Sequence, residues 1–92
     1  MFNQKKAVLS IDGEDISIPY ATNQYYLLKA LFSQPAKRWE TDELLDIFGE
    51  DSFVGNSRKV YDAMISINKK VAALLSYKLI LNENKTYKLN PQ

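Results

Sequence analysis

The chain contains no cysteine and no histidine in its 92 residues. A disulfide framework and thiolate metal sites are therefore excluded, and a zinc site would have to be built from carboxylates alone, a poor donor set for that ion. The same two absences remove the commonest nucleophile and the commonest proton shuttle near neutral pH. With only three glycines, there is no glycine-rich phosphate loop, and the spacing of a calcium-binding loop is missing. The acidic groups Asp12-Gly13-Glu14-Asp15 and Glu50-Asp51 fall in turn-forming stretches, where solvated carboxylates are ordinary. No catalysis, no organic cofactor and no metal are expected. Long apolar runs are absent too. Nothing approaches the roughly 18 residues needed to span a bilayer, and Asp and Glu interrupt AVLSIDGEDI before MFNQKK could serve as the start of a signal peptide. The expectation is a cytoplasmic protein with no membrane partner, and the lack of cysteine agrees with a reducing compartment.

What is present is enough for one small core. Apolar residues make up 46% of the chain, with six tyrosines and four phenylalanines, a composition that argues against disorder and for a single domain over residues 1–92. Net charge is only +1, but it is unevenly placed. From Arg58 onward there are seven basic residues against two acidic ones, whereas the first 57 residues hold five against nine. A basic end of this kind suits phosphate, although solvated lysines also cluster without a partner.

Ala7, Leu9 and Ile11, then Ile16 and Ile18, alternate around Asp12-Gly13, which predicts a hairpin over about 7–18 that Pro19 terminates. A helix is predicted over about 23–33, capped by Thr22 or Asn23, with Tyr25, Leu28, Leu31 and Phe32 inward. Ser33-Gln34-Pro35 ends it. A second helix over about 42–48 is expected to be capped by Thr41 and stopped by Gly49, with Asp42 and Glu43 at its positive end. Loop 50–57 follows. A third helix over about 58–75, capped by Ser57 or Asn56, repeats Val60, Met64, Ile67, Val71 and Leu74 at helical spacing; its length is near 28 Å at 1.5 Å per residue. KLIL and TYKLN around NENK predict a closing hairpin over about 78–90. Trp39 is expected to cover the core from its edge, its indole N–H reaching a carbonyl or water; the alternative is a phosphate-facing role for Trp39, Lys37 or Arg38.

Several of these segments resemble the DNA-binding effector domain of bacterial response regulators of the OmpR/PhoB type. The residues that carry the likeness are Leu27-Leu28, Pro35, Glu43-Leu44-Leu45, Phe48-Gly49, the run from Arg58 through Val60, Met64, Ile67, Lys70 and Val71, and Ile80 followed by Thr86-Tyr87-Lys88-Leu89. The resemblance implies an α+β winged helix-turn-helix fold, with three helices, an N-terminal β-hairpin and a C-terminal hairpin as the wing. It also implies that loop 50–57, with Asp51 and Phe53-Val54, can contact RNA polymerase or another protein. The chain departs from the family where arginines are usual: Asp62, Ala63, Ile65, Ser66 and Asn68 occupy those places, and the wing tip Asn84-Lys85 has no glycine.

The function so implied is sequence-specific binding of double-stranded DNA in bacterial transcription regulation, with the third helix in the major groove and the wing on the adjacent groove or backbone. The candidate contacts are Arg58, Asp62, Ser66, Asn68, Lys69, Lys70 and Lys85. Arg58 suits phosphate or base, or else pairs with Asp62 one turn later. Ser66 and Asn68 could read base edges, and Lys69, Lys70 and Lys85 could neutralise phosphate. Ile65 could meet a thymine methyl or a protein, though core packing beside Met64 is the commoner fate. One monomer offers few contacts, so a homodimer or a fused regulatory domain is expected to supply the rest. The alternative is a winged-helix module turned to protein interaction, its DNA binding lost or weakened.

Overall fold

The computed structural model describes residues 1–49 and 57–91. These form three helices and two small antiparallel sheets, an α+β arrangement. The first sheet consists of β1 (Phe2–Asn3), β2 (Val8–Ile11) and β3 (Glu14–Ser17), with Leu9 paired to Phe2 on one side and to Ile16 on the other. The β2–β3 turn has φ of 48° at Asp12 and 82° at Gly13. Two consecutive left-handed residues match the twist of a tight hairpin, and an Asp-Gly pair tolerates them at little cost. The two-residue strand β1 was not anticipated.

Helix α1 (Asn23–Ser33) begins where the Thr22 hydroxyl accepts the Tyr25 N–H at 3.4 Å. Leu27, Leu28 and Leu31 are buried in the core, while Tyr25 turns to the first sheet. There its ring meets Phe2 edge-on at 5.5 Å and its hydroxyl donates to the Gln4 carbonyl at 2.9 Å. Burial, reinforced by the neighbouring Tyr20 and Tyr26, raises the Tyr25 pKa.

Between α1 and α2, the short strand β4 (Trp39–Glu40) pairs with β6 (Thr86–Leu89), which in turn pairs with β5 (Ile80–Glu83). Trp39 lies opposite Tyr87, and both are buried. Among the described residues, the Trp39 indole N–H finds no acceptor, contrary to expectation; Lys37 instead lies over its ring at 3.9 Å. The β5–β6 turn again uses two left-handed residues, Asn84 and Lys85, at φ of 50° and 63°. This explains how the hairpin closes without glycine: asparagine adopts that region readily, and Lys85 is held in it by neighbours.

Those neighbours correct the start of α2 (Thr41–Phe48). Thr41 is its first helical residue rather than its cap. Its hydroxyl and its N–H both donate to the Lys85 carbonyl, at 2.7 and 3.0 Å. Glu40 takes the capping position, its N–H donating to Glu43 Oε1 at 2.9 Å. Gly49 closes the helix in the left-handed conformation, φ 79°.

Helix α3 (Ser57–Leu74) crosses both other helices and buries Val60, Ala63, Met64, Ile67 and Val71. Two side chains expected inside are not: Ile65 is 40% exposed and Leu74 52%. Ile65 falls outside the buried phase of the helix, and Leu74 lies in the last turn, beyond the core. The flank of α3 nearest the second sheet is fastened by Asn68, whose side-chain amide donates to the Ile80 carbonyl at 3.1 Å while its oxygen accepts the Ile80 N–H at 2.9 Å. Among the described residues no helix is long and apolar enough to cross a membrane.

Replacing Asn68 by leucine should leave both Ile80 backbone groups without partners in a half-buried place, costing about 1–3 kcal/mol. Urea unfolding should register that loss, with Asn68→Asp, which keeps the acceptor and loses the donor, falling between leucine and wild type.

Candidate nucleic-acid interface

Helical geometry sorts the candidate residues of α3. Eleven residues make just over three turns, so Arg58 and Lys69 face the same way, about 16 Å apart along the axis. Asp62 and Ile65 lie between them on the same exposed stripe. Arg58 donates from Nε to Asp62 Oδ1 at 3.2 Å, and its guanidinium carbon sits 5.7 Å from the centre of the Tyr61 ring. Both members of the ion pair are open to solvent, with 75% and 63% of their side chains exposed. The stripe is therefore basic at its two ends, acidic between them, and apolar at Tyr61 and Ile65.

The other candidates diverge from this stripe. Asn68 spends one amide N–H and one oxygen lone pair on Ile80, which turns its side chain toward the second sheet; a bidentate grip on a base edge would have to break that pair. Lys70 leans toward α1, where its ammonium donates to Gln24 Oε1 at 2.8 Å; a phosphate would have to compete for it. Ser66 is half-buried in the wall of an open cleft of about 310 Å³ between α3 and the start of α1, facing Asn23 and Gln24. Lys85 projects from the β5–β6 turn, separate from α3 but held at its backbone by Thr41. Loop residues Asp51, Phe53, Val54 and Asn56 lie outside the described residues.

Two further side chains belong to this surface. Tyr61, which carries no charge or motif to single it out, is exposed beside Arg58. Arg38, just before β4, donates from Nη1 to the Thr86 hydroxyl at 3.1 Å and lies 4.0 Å from the Glu83 carboxylate. Its position on the hairpin follows from the β4–β6 pairing, which no local pattern announces.

The start of α2 is a poor place for an anion. Asp42 and Glu43 occupy its first turn, and Glu43 turns one oxygen to the Glu40 N–H and the other to Lys37 Nζ, at 2.9 and 2.8 Å. The backbone bond to Glu40 first, and the Lys37 bond second, hold the Glu43 pKa below its usual value. Among the described residues no group of three or more acidic side chains is arranged to hold a metal ion.

The lowered Glu43 pKa has a definite sign in stability. Its contribution is complete above the unfolded-state value, near about 4.3, and disappears as pH falls through the lower folded-state value. Wild-type and Glu43→Gln melting curves followed from neutral pH into the acid range should therefore converge at the acid end, the variant being the less stable one near neutrality.

No protein-family model matches the chain, and no curated protein matches it significantly.

Proposed function

We propose that this chain is a winged helix-turn-helix domain that binds double-stranded DNA in bacterial transcription regulation, with α3 in the major groove and the β5–β6 hairpin as the wing. The observation that carries this reading is the placement of cations on two joined elements. Arg58 and Lys69 stand on the uncovered face of α3, and Lys85 stands on a hairpin that β4 and Asn68 fix beside the helices. A duplex presents charge continuously along its backbone, so cations on two rigid supports can meet phosphates flanking one groove. The order α1–β4–α2–α3–β5–β6, with β4 joined to the hairpin, supports the same architecture. No catalysis or cofactor belongs to this reading, and the setting is the cytoplasm.

Three cations make a small footprint. Affinity at physiological salt would then need a second copy, a fused regulatory domain, or a contact from loop 50–57 to RNA polymerase or another protein. A second reading has its own support: Asp62 interrupts the basic stripe, while Tyr61 and Ile65 expose apolar surface beside it. On that reading α3 docks a protein, and its phosphate affinity is incidental.

Titrating the full chain against a duplex pool at several salt concentrations separates the two. Phosphate contacts by Lys69 and Lys85, with a third where Arg58 also meets the backbone, give a log–log slope of about −2 to −3. Replacing Lys69 and Lys85 together by glutamate should remove most of the affinity and flatten the slope by about two phosphates' worth, whereas Tyr61→Ala with Ile65→Ala should leave the slope unchanged. Salt-independent binding, or none, combined with loss of a protein complex in the Tyr61/Ile65 variant, would establish the protein-docking reading instead.

A further inference from the structure

We infer that Arg58 is a guanine-reading side chain held in its reading orientation by Asp62 and Tyr61, an inference that rests on the DNA-binding reading above. A guanidinium has five N–H donors in one plane. Here the Nε–H is taken by Asp62 Oδ1 at 3.2 Å, and the Tyr61 ring lies alongside at 5.7 Å. Among the described residues Nη1 and Nη2 have no hydrogen-bond partner. Those two nitrogens form the outer end of the group, and guanine offers O6 and N7 side by side on its major-groove edge, the acceptor pair that such a fork fits.

An exposed pair of this sort contributes little to folding. Its consequence is to bias a long, flexible side chain toward one orientation before any ligand arrives, which slightly lowers the entropy lost on contact. The Asp62 carboxylate also selects the kind of acceptor. A phosphate bonded to the Nη edge would bring its negative charge close to that carboxylate and be repelled. A neutral base edge is not penalised in this way. Asp62 thus opposes indiscriminate backbone binding by Arg58 while leaving its base contact available. Lys69, on the same stripe with no carboxylate paired to it among the described residues, has no such bias and suits phosphate.

The test is selection by the full chain from a pool of short duplexes with a randomised window, followed by sequencing of the bound fraction. Wild type, Arg58→Ala, Arg58→Lys, Asp62→Ala and Asp62→Asn are compared, each first shown to melt like wild type. Wild type should enrich guanine at one position. Arg58→Ala and Arg58→Lys should both reduce that preference roughly ten-fold or more, with the lysine variant keeping the salt slope because it keeps the charge. Asp62→Ala should lower the guanine preference about two-fold while overall affinity holds or rises, and Asp62→Asn should recover part of it. Three results overturn the inference while leaving DNA binding intact: selection without a guanine position, a guanine preference indifferent to Asp62, or an Asp62→Ala variant that loses a cytosine position instead. Failure of wild type to bind any duplex in the pool removes the DNA reading and this inference together.

Discussion

The grip of the Asn68 amide on both backbone groups of Ile80 couples the rotation of α3 to the position of the C-terminal hairpin. Helix packing alone leaves α3 free to roll by small amounts on α1 and α2, because apolar side chains resist sliding far less directionally than paired hydrogen bonds do. With Asn68 on one flank and the Lys70–Gln24 bond on the other, the outward stripe from Arg58 to Lys69 keeps one orientation. The hairpin is tied a second time at its tip, where Thr41 takes the Lys85 carbonyl, and a third time by Trp39 opposite Tyr87. Helix α3 and the hairpin that follows it are thereby fastened to each other, the support that the proposed groove reading requires.

The electrostatics of that surface favour selectivity over strength. The acidic residues of the first half gather in part around the start of α2, where Glu43 already satisfies the Glu40 N–H. A phosphate would be repelled there, and on the proposed reading Lys69 and Lys85 are the places left for it. On α3 itself, Asp62 reduces the net charge of the stripe and occupies one edge of Arg58. A face so arranged gains little from a polyanion of arbitrary sequence. On the proposed DNA-binding reading, such a face would depend on base edges and on contacts from a second copy or partner.

Much of the scaffold was readable from local pattern because its determinants are local. Asp12-Gly13 turns the first hairpin, Thr22 caps α1, Gly49 ends α2, and the spacing Val60, Met64, Ile67, Val71 defines the buried side of α3. What escaped notice depends on residues distant in sequence. Strands β1 and β4 are two residues long, too short for any alternation to be visible, and exist because Phe2 meets Leu9 and Trp39 meets Tyr87. Thr41 has the chemistry of a cap, yet the Lys85 carbonyl arrives from the hairpin and takes its hydroxyl, leaving the capping position to Glu40. Asn68 shows the same limit: from sequence it could read a base edge or be an ordinary helix residue, and its partner becomes visible only when β5 is placed beside it. The candidate face was legible as a set of charges on one helix, and the Arg58–Asp62 pair as one of the two fates open to Arg58; the exposed Tyr61 ring beside that pair was not.

The central claim is that one surface, made by the outward stripe of α3 and the tip of the β5–β6 hairpin, meets duplex DNA. Backbone amide shifts of the isotope-labelled full chain, followed while a short duplex selected from the pool is added, address it residue by residue. The account predicts saturable shifts at Arg58, Tyr61, Asp62, Ile65, Lys69 and Lys85, with β2 and β3 unmoved. Shifts concentrated on the N-terminal sheet, or none on α3 and the hairpin at saturating duplex, would contradict it.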